Sequence, residues 1–148
     1  MVKLEIGMDA PDFTLLSSDN TGVSLKEFAG RVVVLYFYPK DFTPGCTKEA
    51  CSFRDSYTEI EKSGAVVIGI SYDSINTHKK FKAKYSLPFL LLSDTNRKVS
   101  EAYGVNGVLT AKRSTFVIGT DGKILAVYPK VDVKVHSKEI LDLISGTK

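Results

Sequence analysis

Residues 32–51 have the sequence VVVLYFYPKDFTPGCTKEAC, in which a strand-like half is followed by a helix-like half. The apolar and aromatic run from Val32 to Tyr38 is typical of a strand that is covered on both faces of a sheet. Thr43 and Pro44 are typical of a helix N-cap and of the first helical position, so Cys46 is predicted to lie in the first helical turn. Unpaired backbone N–H groups and the helix dipole stabilise an anion there, which makes Cys46 a candidate thiolate nucleophile.

The second of the two cysteines, Cys51, follows Cys46 by five positions. Helical geometry predicts that the two side chains point about 140° apart and that their Cα atoms are roughly 8–9 Å apart. Cys46 would then point to the core edge, on the face of Phe53 and Ile60, and Cys51 would face away from it. A disulfide tolerates a Cα separation of up to about 7 Å, so joining the two sulfurs would require the start of the helix to unwind.

The rest of the chain alternates strand-like and helix-like segments, which predicts an α/β fold with a central sheet. A second buried-strand pattern, Ala65 to Ser71, follows the first helix and completes a βαβ unit. Before this unit, Phe13 to Leu16 and Val23 to Leu25 flank a turn-rich segment and predict a hairpin. The later predicted elements are a helix from Asp73 to Tyr85, a strand from Phe89 to Leu92, a helical segment from Asn96 to Tyr103, strands from Ser114 to Gly119 and from Lys123 to Tyr128, and a helix from His136 to Ile144 that ends at Gly146.

Composition restricts both the size and the partners of the protein. A chain of 148 residues with 43% hydrophobic content can bury one good core but not two, so we expect a single domain over residues 1–148. The net charge of +3 comes from 20 basic and 17 acidic residues spread along the chain, which argues against nucleic acid as a partner. The longest apolar run is too short to span a bilayer and the N-terminus lacks a signal-peptide core, so we expect a cytoplasmic protein without a membrane partner.

Two nearby cysteines in a reducing compartment favour catalysis or metal binding over a structural disulfide. A closed zinc site needs about four ligands. Beyond the two cysteines the chain offers only His78 and His136, both remote in the sequence. We therefore expect no metal, and we expect both histidines to be exposed and uninvolved.

The motif Pro39-x-x-x-Thr43-x-x-Cys46, with Glu49 three residues later and Arg113 before an apolar strand, resembles the peroxiredoxins. In particular it resembles the peroxiredoxin Q subfamily, also called bacterioferritin comigratory proteins, in which a second cysteine often follows five positions after the first. Further matches cover nearly the whole chain, at Gly7-x-x-Ala10-Pro11-Asp12-Phe13, Ser93-Asp94, Tyr103-Gly104-Val105, Thr115-Phe116-Val117-Ile118 and Asp121-Gly122-Lys123.

The resemblance implies a thioredoxin-like fold, a central mixed sheet flanked by helices, with an added N-terminal β-hairpin. It implies an activity that reduces hydrogen peroxide and organic hydroperoxides without a cofactor. Cys46 would attack the peroxide and become a sulfenic acid, and Cys51 would then join it in an intramolecular disulfide. A thioredoxin-type dithiol protein would reduce that disulfide by exchange.

The same resemblance implies roles for four pocket residues. Thr43 would hydrogen-bond the bound peroxide, and Arg113 would stabilise the thiolate and the charge that develops on the leaving oxygen. Pro39 would shield the pocket, and Glu49 would orient the arginine. Taken alone, Thr43 is equally well explained as a helix N-cap, and Arg113 is by default a surface charge. Pro39 could simply end the strand, and Glu49 could be a solvated helical acid.

Two other functions stay open from the sequence. A thioredoxin-like disulfide oxidoreductase would share the fold, although such enzymes use the spacing Cys-x-x-Cys. A thiol redox sensor would use oxidation of Cys46 as a switch without repeated turnover. Because the chain lacks the C-terminal cysteine arm of typical two-cysteine peroxiredoxins, we expect resolution within one chain, and the subfamily resemblance favours a monomer or a weak homodimer.

Overall fold

Seven strands and four α-helices occur in residues 4–145, the part of the chain that the computed structural model describes. The strands are β1 (Thr14–Ser17), β2 (Gly22–Ser24), β3 (Val32–Phe37), β4 (Ala65–Ser71), β5 (Leu90–Ser93), β6 (Ser114–Ile118) and β7 (Ile124–Tyr128). The helices are α1 (Pro44–Lys62), α2 (Ile75–Tyr85), α3 (Lys98–Ala102) and α4 (His136–Ser145). None of the helices in this range is long and apolar enough to cross a lipid bilayer.

The strands form one mixed sheet in the spatial order β2-β1-β5-β4-β3-β6-β7. The central strands β3, β4 and β5 run parallel to one another. Strands β1 and β6 pair antiparallel with β5 and β3 respectively, and β7 pairs antiparallel with β6. The predicted N-terminal hairpin is confirmed as β1 and β2, and its pairing with β5 makes it one edge of the main sheet.

Strands β3 and β4 are buried along their whole length, which explains their continuous apolar sequences. Alternate residues of a strand point to opposite faces of the sheet. In β3, Val33 and Leu35 belong to the apolar cluster on one face, whereas Val34 and Tyr36 belong to the cluster on the other. A strand covered on both faces has no polar side, as the sequence predicts.

The helix starts show where local sequence signals succeed and fail. α1 begins at Pro44 and α4 at His136, as predicted. α2 begins at Ile75, two residues later than predicted, because the Ser74 side chain accepts a hydrogen bond from the Thr77 amide and caps it. α3 is shorter than predicted, since Arg97 has a left-handed φ of 64° and cannot continue a helix. The predicted end at Gly146 lies outside the described residues.

The sheet topology brings distant loops to one edge. β3 ends at Phe37, just before the loop that leads into α1. β6 runs antiparallel to β3 and begins at Ser114, which is the register partner of Phe37. Arg113, which directly precedes β6, therefore lies at the N-terminus of α1. Because β4 is parallel to β3, Asp73 follows the end of β4 at the same edge.

Candidate active site

Cys46 lies in the first turn of α1, and the residue is 1% exposed. Thr43 is the N-cap, with extended backbone angles, and its carbonyl accepts the first helical hydrogen bond from the Thr47 amide at 2.9 Å. Pro44 occupies the start of the helix, where its missing N–H costs nothing. The predicted position of Cys46 among the free N–H groups of a helix start is therefore confirmed.

Arg113 contacts Cys46 directly. Its Nη2 donates to Cys46 Sγ at 3.2 Å, and its Nη1 donates to Glu49 Oε1 at 2.6 Å. Cys46 and Glu49 are three residues apart, so they share one face of α1 and one planar guanidinium can bridge them. Gly45 leaves room for this approach, because a Cβ at that position would lie 3.1 Å from Arg113 Nη2. The structure therefore brings together three residues that the resemblance places in the site.

Glu49 is a buried acid rather than a solvated one, with a side chain only 1% exposed. Burial raises the pKa of Glu49 from 4.5 to about 7, and Arg113 opposes this rise. Among the described residues, Glu49 Oε2 has no hydrogen-bond partner. Burial by itself would lower the pKa of Arg113, but the charges of Glu49 and Cys46 raise it overall. One permanently charged cation thus serves two acidic groups.

This arrangement predicts a pH-dependent stability that Glu49→Gln removes. A carboxyl whose pKa is raised by folding binds its proton more tightly in the folded state, so its contribution is complete below pH 4.5 and is lost as pH rises through about 7. The shift corresponds to on the order of 3 kcal/mol. Urea unfolding from pH 4.5 to 8 should show the wild-type protein losing stability relative to the variant. Parallel stability curves for the two proteins would contradict the assignment.

Thr43 does not cap the helix with its side chain, contrary to one expectation from the sequence. Its hydroxyl instead donates to the Lys40 carbonyl at 2.7 Å. With its hydrogen engaged in this way, the hydroxyl oxygen keeps lone pairs that can accept a hydrogen bond from another group. Pro39 lies half-buried in the same loop, directly after the buried Tyr38.

Cys51 is half-buried on another side of α1 from Cys46. It lines a surface cavity of about 760 Å³ together with Phe42 and Tyr85, whereas Cys46 is not part of that lining. Both thiols are free and both lie within the continuous helix α1. Two helical positions five apart are too distant for a disulfide, so the helix must unwind locally before these sulfurs can bond.

The expectation that both histidines are exposed is wrong. His78 is 0% exposed and His136 is 1% exposed. His78 precedes Phe81 by three residues and Tyr85 by seven, so helical periodicity would have placed it on the buried face. His136 Nε2 lies 2.7 Å from Thr115 Oγ1, and burial lowers the pKa of His136 against an opposing effect of Glu139.

Comparison with known proteins agrees with this geometry. The sequence model of the AhpC/TSA family matches residues 6–127 of this chain. A putative peroxiredoxin bcp of Coxiella burnetii is 47% identical to this chain over an alignment of 151 positions. The alignment covers 95% of this chain and 98% of that protein.

Solved structures show the same similarity. Peroxidoxin BcpB of Mycobacterium tuberculosis superposes with a TM-score of 0.93 at 35% identity, covering 98% of this chain and 99% of that one. The bacterioferritin comigratory protein of Xanthomonas campestris superposes with a TM-score of 0.90 at 33% identity, covering 97% of this chain and 99% of that one. Its structures are trapped intermediate and ligand complexes that concern its alkyl peroxide reduction. The predicted thioredoxin-like fold with its N-terminal hairpin is thereby confirmed. The chain belongs to the AhpC/TSA family, among the peroxiredoxins of the Bcp and Q type.

Proposed function

We propose that this protein is a thiol-dependent peroxidase in which Cys46 reduces hydrogen peroxide and organic hydroperoxides. The observation that carries the proposal is the contact of 3.2 Å between Arg113 Nη2 and Cys46 Sγ at the start of a helix. A guanidinium and unpaired backbone N–H groups there stabilise the thiolate, the reactive form of a cysteine. Membership in the AhpC/TSA family supports the same chemistry.

In the first step, the Cys46 thiolate attacks one peroxide oxygen. The S–O bond forms as the O–O bond breaks, so that sulfur is oxidised to a sulfenic acid and the peroxide is reduced to water or an alcohol. The electron pair of the broken bond leaves on the second oxygen, which takes up a proton. Arg113 stabilises the negative charge that develops there, and the Thr43 hydroxyl oxygen accepts a hydrogen bond from the bound peroxide.

Pro39 and Glu49 support this step without touching the reacting oxygen atoms. Pro39, half-buried in the loop before α1, shields the pocket from water. Glu49 orients Arg113 through the hydrogen bond of 2.6 Å between Oε1 and Nη1. A guanidinium fixed by a second partner loses less freedom when it meets the substrate, which favours the reactive arrangement.

In the second step, the Cys51 thiol condenses with the sulfenic acid, releasing water and forming a disulfide. Contacts further along α1 confine the necessary unwinding to its first two turns. Ser52 Oγ lies 2.6 Å from Ser137 Oγ of α4, and Arg54 Nη1 donates to the Tyr85 carbonyl of α2 at 2.9 Å. A thioredoxin-type dithiol then reduces the disulfide by exchange and restores both thiols.

The two alternative functions are less well supported by this geometry. A protein disulfide oxidoreductase exposes its attacking sulfur to a second protein, whereas Cys46 is 1% exposed. A thiol sensor would share the first step with a peroxidase but would stop there. A coupled assay separates all three, with the protein supplied with hydrogen peroxide or a bulky alkyl hydroperoxide, thioredoxin, thioredoxin reductase and NADPH. Sustained NADPH oxidation is the expected result. A single turnover would favour the sensor. In a separate assay without thioredoxin, reduction of insulin by the protein and dithiothreitol, without peroxide consumption, would favour the oxidoreductase.

Replacing the second thiol should separate oxidation from recycling. In Cys51→Ser, the first oxidation of Cys46 should proceed at the wild-type rate, because the contact between Arg113 and Cys46 does not involve Cys51. Turnover supported by thioredoxin should collapse, because no disulfide can form. Stopped-flow oxidation and the coupled assay measure the two steps separately. Unchanged cycling with thioredoxin would show that Cys51 is not the resolving cysteine.

We also propose a single domain over residues 1–148 that acts as a monomer or a weak homodimer in the cytoplasm. One sheet supports both apolar clusters of the described residues, which favours a single folding unit. Resolution by Cys51 within the same chain needs no second copy, and recycling by a dithiol protein needs a reducing compartment.

A further inference from the structure

A buried polar cluster underlies the loop between β3 and α1, and the proposed chemistry does not use it. The cluster contains the buried residues Tyr38, Asp41, Ser71 and His78 and the half-buried Asp73. The side chains of Asp41 and His78 are both 0% exposed. Buried ionisable groups of this kind persist only when they are paired and hydrogen-bonded.

The Asp41 side chain and backbone are both engaged. Oδ1 accepts from the Tyr38 hydroxyl at 2.5 Å, and Oδ2 lies 2.6 Å from His78 Nδ1. The Asp41 amide donates to Asp73 Oδ2 at 2.9 Å, which also accepts from the Ser71 hydroxyl at 2.6 Å. Asp41 thus ties the loop to the end of β4 and to α2.

His78 completes the network. Its Nε2 lies 3.1 Å from the Leu92 carbonyl, and because a carbonyl oxygen can only accept, Nε2 carries a hydrogen. His78 Nδ1 and Asp41 Oδ2 lie within hydrogen-bond distance of each other. Three ligand-type atoms, one each from Asp41, Asp73 and His78, lie within 4.8 Å of one another. Each of these three residues already has a hydrogen-bond partner in the protein.

A second contact from α2 also holds the loop. Phe42, next to Asp41, has a left-handed φ of 67°. For a residue other than glycine this conformation costs roughly 1–2 kcal/mol, so surrounding contacts must hold it. The Phe42 ring packs edge-on against Phe81 with 5.1 Å between ring centroids. Phe81 follows His78 by three residues, so one face of α2 contacts both Asp41 and Phe42 of the loop.

We propose that Asp41 and His78 are positioning residues for peroxide reduction, which hold Thr43, the N-cap residue of α1, in the reactive geometry. The inference rests on the proposed function, in which the Thr43 hydroxyl orients the peroxide. Thr43 follows Asp41 by two residues, and its carbonyl accepts the first hydrogen bond of α1. Arg113 directly precedes β6, which pairs with β3 and not with this loop. Loss of the pair should therefore affect the orientation of the peroxide more than the contact between Arg113 and Cys46.

The test compares two electrophiles in a Cys51→Ser background, where Cys46 is the only thiol. His78→Ala and Asp41→Ala should lower the second-order rate constant for oxidation of Cys46 by hydrogen peroxide by roughly 10- to 100-fold. Alkylation of Cys46 by iodoacetamide should fall by less than about threefold, because iodoacetamide does not need the Thr43 hydroxyl. An equal loss with both electrophiles would indicate general disruption and would overturn the inference.

Asp41→Asn is the conservative variant that should rescue the rate. An asparagine amide at this position can donate to the bare Nδ1 of a neutral His78, while its oxygen still accepts from Tyr38. With the network complete, the rate with peroxide should stay within about threefold of the parent protein. If Asp41→Asn is as slow as Asp41→Ala, the hydrogen-bonded pair is not what positions the loop.

His136→Gln is the matched control, because it also removes a buried imidazole but one that contacts Thr115 and not the loop. It should lower stability to urea while leaving the peroxide rate per folded molecule unchanged. A loss as large as that of His78→Ala would overturn the inference, as would a full peroxide rate in His78→Ala. His78→Gln, which keeps a donor for the Leu92 carbonyl, provides the same comparison if the alanine variant does not fold. If Cys46 of the parent protein does not react with peroxide, the proposed function itself is wrong.

Discussion

Cys46→Ser should abolish peroxide consumption completely. A serine hydroxyl stays protonated at neutral pH, and its oxygen cannot be oxidised to the equivalent of a sulfenic acid. The substitution exchanges one atom for another in a side chain that is fully buried and hydrogen-bonded to Arg113, so the fold should survive. Peroxide loss measured directly, and NADPH oxidation in the coupled assay, should both fall to the background rate without protein.

The matched control for this variant is Cys51→Ser, which makes the same chemical change five residues along the same helix. It should retain a full stoichiometric burst of peroxide reduction where Cys46→Ser retains none. If Cys46→Ser still consumes peroxide at a rate near that of the wild type, the attacking sulfur has been assigned wrongly. Unfolding in urea at similar midpoints would show that the difference is chemical.

Arg113→Ala should reduce the rate of Cys46 oxidation by on the order of a hundred- to a thousandfold, the usual effect of removing one preplaced donor from a developing anion. Among the hydrogen bonds of the described residues, Arg113 is the only cationic donor to Cys46 Sγ, and the substitution removes it. It also leaves the buried Glu49 without its partner, so a loss of stability should accompany the loss of rate. Stopped-flow oxidation at several peroxide concentrations measures the rate constant.

Two further variants show whether charge or geometry matters at position 113. Arg113→Lys keeps a positive charge but cannot bridge Cys46 and Glu49 with a planar fork, so its rate should lie between those of wild type and alanine. Arg97→Ala is the control, because Arg97 donates to the Val108 carbonyl and packs over Tyr72 instead of contacting Cys46. A rate for Arg113→Ala equal to that of Arg97→Ala would exclude Arg113 from the reaction.

Much of the fold was predictable because its main signals are local. The apolar sequences of β3 and β4 identify strands covered on both faces, and Thr43-Pro44 identifies the start of α1. The predicted helical segment from Asn96 to Tyr103 is present but shorter, as α3, because a side chain from outside the helix sets its start. Both oxygens of Asp94 accept backbone amides, those of Val99 and Ser100, while Arg97 turns left-handed. A hydrogen bond of this kind leaves no periodic signal in the sequence.

The site divides in the same way. Cys46 and Glu49 lie three residues apart on one helix, so their common face follows from the sequence. Arg113 is 64 residues from Glu49, and its role came from the resemblance to peroxiredoxins and not from any pattern in the chain. The prediction that His78 is exposed was wrong, although its spacing of three residues to Phe81 is typical of the buried face of α2.

Local sequence therefore specified a strand, a tight turn and a helix that starts just before Cys46, together with a second thiol too far away to bond without unwinding. These features depend on backbone preferences within a few residues, which a short segment carries with it. The partners of that thiol arose from the folding of the whole chain. The antiparallel register of β6 against β3 places Arg113 next to Cys46. Burial raises the pKa of Glu49, and the packing of α2 brings His78 into contact with Asp41. Such contacts depend on strand order and on exclusion of water, and these are properties of the complete sheet with both of its faces covered.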